Sequence, residues 1–212
     1  MNADTVIIRN KLRQDYSTTW RAMQEFTNTR DENTLDEIWY LEHDPVFTQG
    51  QNGKSEHLLN PGTIPVIKVD RGGQVTYHGP GQLMVYILVD LRRKKLNIRQ
   101  LVNCLENAVI DLLAEFSIKA VAKADAPGVY IDNKKICSVG LRIRRGCSYH
   151  GLAFNLNMNL EPFSRINPCG FPDLKITQLA DFLEPAALEG MNIKLINYLT
   201  HNLGYNNRLQ PE

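Results

Sequence analysis

The sequence lacks several features that would assign it to a specialised class of protein. No apolar run approaches the roughly 18 residues that span a membrane. The N-terminal segment has no long apolar stretch of the kind found in secretion signals. The formal net charge is only +1, so the basic excess that favours nucleic-acid or membrane binding is missing. These absences predict a cytoplasmic globular protein that binds neither nucleic acid nor membranes.

Cysteine is scarce, and no two cysteines form a CxxC pair. Cys104, Cys137, Cys147 and Cys169 lie at irregular spacings, which predicts reduced thiols and no metal site. We expect Cys104 and Cys137 to pack in the core and Cys147, which follows three arginines and a glycine at a turn, to be exposed or half-exposed.

Repeats, low-complexity segments and linkers are also missing. A chain of 212 residues fits one domain, so we predict a single domain over residues 1–212. Helical patterns separate runs of adjacent strands, which favours an α+β fold over a βαβ array. We expect a single domain with a mixed, mainly antiparallel sheet flanked by helices.

Apolar periodicity and turn signals locate the elements of this fold. The segment from Leu83 to Leu91 is almost continuously apolar, as in a central strand covered on both faces. Asn97 and Gln100 form a capping box before an amphipathic helix. The full prediction comprises helices at Asp15–Thr29, Asn97–Phe116, Thr177–Leu183 and around Leu195–Leu203, strands at Ile38–Glu42, Pro65–Asp70, Val129–Ile131, Lys135–Arg144 and Tyr149–Met158, and a hairpin of Gln74–His78 and Gln82–Leu91.

Cys169 is the leading candidate nucleophile. It lies in the turn Asn167-Pro168-Cys169-Gly170, where a proline and a glycine hold the sulfur on a tight bend. Only the thiolate form of cysteine attacks a carbonyl, and a nearby ammonium group stabilises that form. The alternative is that Cys169 is a small buried hydrophobe.

Lys135 begins a predicted strand, beside Lys134. A lysine pair at this position is usually a solvated hairpin tip. Strict strand alternation, however, places Lys135 on the same face as the apolar Cys137, Val139 and Leu141, and a lysine on an apolar face can act as an acid or a base.

The segment RGGQVTYHGPGQ, Arg71 to Gln82, is the main glycine-rich part of the chain. Its glycines let the backbone approach a ligand closely, although two tight turns around a hairpin would need them as well. It has neither GxGxxG spacing nor a GK[ST] ending, so it is a poor nucleotide-binding loop. His78 could line a pocket or only satisfy a turn carbonyl, and the small residues Gly151, Leu152 and Ala153 after His150 could line an acyl channel or merely pack.

Two basic clusters complete the set of candidate sites. One contains Arg142, Arg144 and Arg145, and the other spans Arg92 to Lys95. Such clusters are commonly solvated surface, but they could also dock an acidic carrier protein and speed its association.

Three segments together carry a family resemblance: RGGQVTYHGPGQ, APGVYIDNKKICSVGLRIRRGCSYHGLAFNLNMNL and INPCG. They closely resemble the bacterial lipoyl/octanoyl transferases, and the likeness runs from about Thr34 to the C-terminus. The resemblance implies the fold of biotin and lipoate ligases and a single catalytic domain that uses neither a cofactor nor ATP. We expect a monomer, although the sequence does not determine whether a dimer forms. It implies transfer of octanoyl from acyl carrier protein to a lysine of the lipoyl domains of 2-oxoacid dehydrogenase E2 subunits and of the glycine cleavage H protein.

The same resemblance implies residue roles. Cys169 would carry the octanoyl group as a thioester, and Lys135 would activate it and shuttle protons. The implied substrate-binding residues lie in three segments and are Arg71, Gly72, Gly73, Gln74, Val75, Thr76, Tyr77, His78, Ser138, Val139, Gly140, Gly151, Leu152 and Ala153.

Three alternatives remain compatible with the sequence. An ATP-dependent lipoate or biotin ligase would share the fold but would need no nucleophilic cysteine. An amidotransferase would move octanoyl between lipoyl domains. A catalytically silent carrier-binding or regulatory module would need neither Cys169 nor Lys135.

Overall fold

The computed structural model describes residues 3–210. Most of this part of the chain lies in a large sheet, a small sheet and three α-helices. In chain order the elements are β1 (Thr5–Gln14), α1 (Tyr16–Thr29), β2 (Asp36–His43), β3 (Val46–Gln49), β4 (Val66–Lys68), β5 (Val75–His78), β6 (Gln82–Leu88), α2 (Ile98–Ala114), β7 (Val121–Ala122), β8 (Gly128–Ile131), β9 (Lys134–Arg144), β10 (Cys147–Asn155), α3 (Met191–Asn202) and β11 (Asn207–Leu209).

The large sheet has the strand order β11-β1-β2-β6-β10-β9-β8-β7. β1 pairs in parallel with β2 and β11, and the other neighbours are antiparallel. The predicted mixed, mainly antiparallel sheet is therefore confirmed. β1 was not among the predicted elements. It pairs in parallel with β2, and α1 connects the two strands.

Helices cover both faces of the large sheet. α2 and α3 pack on one face around the largest apolar cluster, and α1 packs on the other around Met23, Trp39 and Tyr86. Every residue of β6 is buried, because β6 lies between β2 and β10 and beneath both helical layers. The prediction of a central strand covered on both faces is confirmed.

The small sheet has the order β4-β3-β5. Its pairing shows that the predicted hairpin of Gln74–His78 and Gln82–Leu91 is wrong. β5 and β6 do not form a hairpin, because β5 pairs with β3 while β6 belongs to the large sheet. The connecting turn contacts other parts of the chain: the Gly81 carbonyl accepts hydrogen bonds from the backbone N–H groups of Leu156 and Asn157, and its N–H donates to Glu42. Gly81 has φ 81° and lies too close to Asn157 for any side chain.

The helix caps agree with the sequence. Asp15 caps α1 through the Thr18 N–H, and Asn97 and Gln100 form the predicted capping box of α2. Ile98, the first residue of α2, is apolar but 54% exposed. The short helix predicted over Thr177–Leu183 is a single 3₁₀ turn at Leu179–Asp181.

Cys147 also differs from its predicted position. It is buried, with 3% relative exposure, because it begins β10 and pairs with Asp90 and Arg144 on two sides. Cys137 is fully buried as predicted, whereas Cys104 is half-buried and its thiol donates to the Asn202 carbonyl.

Within residues 3–210, none of the helices combines the length and apolar character required to cross a bilayer.

Candidate active site

The Cys169 turn holds its residue in an unusual backbone conformation. Cys169 is half-buried in a 3₁₀ turn, Pro168–Gly170, with φ 57° and ψ 11°. This left-handed conformation is unfavourable for a residue with a side chain, by roughly 1–2 kcal/mol. The turn is held by a hydrogen bond from the Gly170 N–H to the Asn167 carbonyl, and the Asn167 N–H donates to the His57 carbonyl. The surrounding structure therefore fixes the direction of the sulfur.

Lys135 contacts this sulfur directly. Its ammonium Nζ lies 3.1 Å from Cys169 Sγ, although the side chain is only 3% exposed. The backbone of Lys135 also bonds the segment that follows the turn, because its N–H donates to the Lys175 carbonyl and its carbonyl accepts from the Thr177 N–H. These bonds set the spacing between the strand and the turn.

A register shift in β9 corrects the predicted face of Lys135. Lys135 pairs with Tyr130 and Cys137 with Val129, so Ile136 is an extra residue in the ladder. Ile136 and Cys137 both lie in the main apolar core, which strict alternation would forbid. Lys135 does not share the face of Cys137, and instead lies 5.3 Å from the Tyr130 ring.

The environment of Lys135 favours its protonated form. Burial by itself disfavours the ammonium group. The charge and hydrogen bonds of Cys169, with Tyr130, outweigh this penalty and raise the pKa of Lys135 above its usual value. The protonation of Lys135 is therefore coupled to the charge on Cys169.

Glu106 and Gly128 lie close to Lys135. The buried Glu106 carboxylate, on α2, accepts a 2.7 Å hydrogen bond from the Gly128 N–H. Gly128 has φ 139°, and a Cβ there would lie 2.5 Å from Lys135 Cε. Only glycine fits at this position while Lys135 keeps its place. Burial raises the pKa of Glu106, against the opposing Gly128 hydrogen bond and the Lys135 charge.

A cavity of about 490 Å³ opens beside this pair and is lined mainly by apolar surface. Its volume is typical of small-molecule sites. The structure brings nearly all of the predicted site residues to its wall: Arg71, Gly72, Gly73, Gln74, Val75, Thr76, His78, Lys135, Ser138, Val139, Gly140, Gly151, Leu152, Ala153 and Cys169. Tyr77 does not line it, because its ring packs against Phe47 and Phe163 in a separate apolar cluster.

Arg71 is a buried cation in this wall. Within the described part of the chain, its guanidinium donates to uncharged groups, the side chain and carbonyl of Thr48 and the carbonyl of Gly72. Burial lowers the pKa of Arg71, partly offset by Tyr16 and Cys169. The arginine therefore brings positive charge to the cavity without a neutralising carboxylate.

His78 lies in the same wall and is held at both ring nitrogens. Nδ1 lies 2.8 Å from Gln82 Oε1, and Nε2 lies 3.2 Å from Thr48 Oγ1. Burial, aided by Arg71, lowers the pKa of His78 well below its usual value. His78 is a neutral, fully partnered group that shapes the wall.

Sequence reasoning missed part of the wall. The additional lining residues come from α1, β6, α2, β9 and several loops: Tyr16, Asn52, Met84, Tyr86, Ile98, Val102, Asp125, Ala126, Pro127, Leu141 and Phe171. Ile98 and Phe171 are large apolar residues that remain 54% and 50% exposed, a feature that only the structure shows. Tyr16 and Tyr86 carried no signal in the sequence, since a buried aromatic residue is ordinarily core.

The two basic clusters have different environments. Arg144 and Arg145 are exposed and Arg142 is half-exposed, which is compatible with a docking surface. In the second cluster, Arg93 forms an ion pair with the buried Asp36, so this cluster is partly structural and only partly solvated.

Comparison with known proteins identifies the class of enzyme that this fold and site define. The family model of the lipoyl protein ligase A/B catalytic domain matches residues 15–200. A bipartite lipoate protein ligase from Thermoplasma acidophilum superimposes with a TM-score of 0.74 at 15% identity, over 98% of this chain and 87% of that one. This likeness confirms the predicted lipoate-ligase-like fold.

Relatives of much higher identity narrow the assignment. Octanoyltransferase from Shewanella frigidimarina is 58% identical over 97% of this chain and 95% of its own length. Octanoyltransferase from Colwellia psychrerythraea is 56% identical over 97% of this chain and 87% of its own. The chain belongs to the octanoyltransferases of the lipoyl protein ligase A/B family, and it is an acyltransferase.

Proposed function

We propose that this enzyme transfers octanoyl from acyl carrier protein to a lysine of lipoyl domains, through a thioester on Cys169. The observation that carries this proposal is the 3.1 Å contact between Lys135 Nζ and Cys169 Sγ at the wall of a largely apolar cavity. A nucleophile needs a charged partner beside it and an apolar space for the chain that it accepts. Both are present here.

In the first half-reaction the Cys169 thiolate attacks the thioester carbonyl of the donor. A new carbon–sulfur bond forms to Cys169, and the bond to the carrier's thiol breaks. The departing thiolate takes a proton from the Lys135 ammonium. One thioester replaces another, so little free energy is lost and no nucleotide is needed.

Acylation prepares Lys135 for the second half-reaction. Once Cys169 is a neutral thioester, the negative charge that held the lysine's proton is gone, and burial, the largest single influence on this lysine, favours the neutral amine. Lys135 can then accept a proton from the attacking lysine of the lipoyl domain. As the amide bond forms and the Cys169–carbonyl bond breaks, the original ion pair is restored.

The partners follow from the same scheme. The donor is octanoyl-acyl carrier protein, and the acceptors are the lipoyl domains of E2 subunits and the glycine cleavage H protein. The exposed Arg144 and Arg145, with Arg142, offer a basic surface for an acidic carrier protein. Two close relatives bear the name octanoyltransferase, which supports this donor chemistry over ATP-dependent ligation.

Intact-mass analysis tests the proposal. Purified protein is mixed with octanoyl-acyl carrier protein without ATP, beside Cys169→Ala, and a lipoyl domain is then added. We expect one octanoyl adduct on the wild-type protein and none on Cys169→Ala. The added lipoyl domain should then take the octanoyl group from the wild-type protein. Transfer that requires ATP would indicate a ligase, and ATP-free transfer by Cys169→Ala would exclude the covalent route. An adduct formed only from an octanoyl-lipoyl domain would indicate an amidotransferase.

A further inference from the structure

The backbone of Cys169 needs support from residues outside its own turn. Its φ of 57° lies in the left-handed region, which persists in a residue with a side chain only where the surrounding structure imposes it. Lys135 holds the chain after the turn, through backbone hydrogen bonds with Lys175 and Thr177. The chain before the turn is held by a different segment, which begins at His57.

The segment 57–60 pairs with the chain that enters the turn. Two backbone N–H groups of this segment donate to the Arg165 carbonyl, at 2.9 and 3.0 Å. The Asn167 N–H then donates to the His57 carbonyl at 2.9 Å. These bonds form a short antiparallel contact that ends two residues before Cys169.

The His57 imidazole lies across the base of the turn. Its Nδ1 lies 3.3 Å from Asn167 Nδ2, and because an amide NH₂ group can only donate, Nδ1 is the acceptor. At the other end of the turn, a Cβ on Gly170 would lie 3.3 Å from His57 Nε2, so the ring also borders this glycine. One side chain therefore lies beside the residues on both sides of Pro168 and Cys169.

The loop that contains His57 is also fixed to the wall of the cavity. The Lys54 N–H donates to Gln74 Oε1 at 3.1 Å, and Gln74 itself lines the cavity and borders Gly170. His57 does not line the cavity, and its side chain is 14% exposed. An effect of His57 on transfer would therefore act through the position of the Cys169 sulfur.

We propose that His57 is a positioning residue, which holds Asn167 through its carbonyl and its Nδ1 and thereby keeps the Cys169 sulfur in contact with Lys135. This inference rests on the proposed function, in which that contact activates the nucleophile. The interaction between the ammonium group and the sulfur weakens with distance. A turn that relaxes toward ordinary backbone angles would carry the sulfur away from the 3.1 Å contact.

Two substitutions separate the acceptor nitrogen from the bulk of the ring. His57→Phe keeps a planar ring beside Gly170 but removes Nδ1, whereas His57→Asn keeps an acceptor that the Asn167 amide can reach. We expect His57→Phe to form the acyl-enzyme about tenfold more slowly, less than the roughly 10²-fold cost of a 1 Å misplacement. His57→Asn should recover the rate to within about threefold of wild type. Intact mass against time measures both rates.

The titration of Lys135 distinguishes positioning from a general loss of stability. Because the Cys169 charge raises the pKa of Lys135, a sulfur that has moved away should let Lys135 lose its proton at lower pH in His57→Phe. In His57→Asn the titration should stay normal. NMR of ¹³C at Cε measures this in the free enzyme. His201→Phe, the same change at an exposed histidine of α3, is the matched control and should leave rate and titration normal.

Asn167→Ala removes the same side-chain hydrogen bond from the other side, and it serves as the test if His57→Phe does not fold. We expect similar slowing and the same shift of the Lys135 titration. Where both variants fold, combining them should add little further loss, because residues in one contact are not additive.

Three outcomes would overturn the inference. The first is normal acylation and a normal Lys135 titration in His57→Phe. The second is equal slowing in His57→Phe and His57→Asn, because the acceptor would then have no part in the effect. The third is a lower melting temperature with an unchanged Lys135 titration, which would show a purely structural role.

Failure of the proposed function would look different. No octanoyl adduct would then form on the wild-type protein. The Lys135 titration needs no substrate, so it would still report whether His57 holds Cys169 against Lys135.

Discussion

Two buried charged clusters in this protein use their hydrogen-bonding capacity differently. The Asp36 carboxylate accepts from Arg30, Arg93, the Tyr205 hydroxyl and the Asp90 N–H, at 2.5–2.8 Å. It lies outside the lining of the cavity, and its position ties β2 to the chain after α1, the segment after β6 and the region after α3. Every oxygen of this carboxylate is occupied.

The cavity cluster differs in the partners of its cations. Among residues 3–210, Lys135 contacts the Cys169 sulfur and Arg71 contacts only uncharged groups, whereas Arg30 and Arg93 are both paired with the Asp36 carboxylate. The difference teaches that cations neutralised by a buried carboxylate hold elements together, whereas cations at a cavity wall without a carboxylate partner are placed to act on a substrate. Variants in the two clusters should therefore give opposite signatures, with loss of stability in one and loss of transfer in the other.

Cys169→Ala should have the largest effect on transfer. It removes the atom that carries the acyl group, so we expect no acyl-enzyme and no measurable turnover, with little change in thermal stability. Cys104→Ala is the matched control, because Cys104 is a half-buried thiol outside the cavity lining, and it should retain transfer. Turnover near normal in Cys169→Ala would show that the acyl group passes directly to the acceptor.

Lys135→Met should have the second largest effect on transfer, because it should slow both half-reactions. Loss of a positioned acid–base group typically costs about 10²–10⁴-fold in rate. Stopped-flow measurement of acyl-enzyme formation and discharge checks this. Lys134→Met, at the neighbouring exposed lysine, should behave normally. If both variants lost the same activity, general positive charge near β9 would explain the effect.

Gly128→Ala should have a smaller effect by displacing Lys135. A Cβ at residue 128 would lie 2.5 Å from Lys135 Cε, and φ 139° is strained for alanine. Misplacement of a catalytic group by about 1 Å can cost about 10²-fold in rate. Steady-state turnover measures the loss, and combining Gly128→Ala with Lys135→Met should add little further loss. Fully additive losses would show that Gly128 acts independently of the lysine.

Asp36→Ala should have the smallest effect on transfer and a large effect on stability. It leaves Arg30 and Arg93 buried without their partner, which typically costs about 3–5 kcal/mol in the free energy of unfolding. Denaturant unfolding measures this cost, and the specific activity of the folded fraction should stay near normal. A stable but inactive variant would contradict the division between the two clusters.

Much of the fold could be predicted from local signals. The capping box of Asn97 and Gln100 and the apolar run of β6 both depend on neighbouring residues, and both were correctly placed. The β5–β6 hairpin was wrong because the bend at Gly81 is determined by distant partners, Glu42 and Asn157. No local pattern contains that information.

The site was predictable to a similar extent. Cys169 and Lys135 were singled out by their turn and strand contexts together with the family resemblance, and their roles stay a proposal. The face of Lys135 was wrong because strict alternation cannot anticipate the extra residue, Ile136, at the register shift. The contact between His150 and Asp70 could not be foreseen, because Asp70 lies 80 positions away in the sequence.

The most direct test of the coupling between Cys169 and Lys135 is an NMR titration of the Lys135 side chain, labelled with ¹³C at Cε. Spectra of the unmodified protein, Cys169→Ala and the octanoyl-enzyme are compared, with Lys135→Met used to assign the signal. Because the Cys169 charge raises the pKa of Lys135 while burial lowers it, removing that charge should make Lys135 lose its proton at lower pH in both modified forms. An identical titration in all three forms would contradict the coupling and leave the second half-reaction without its proton acceptor.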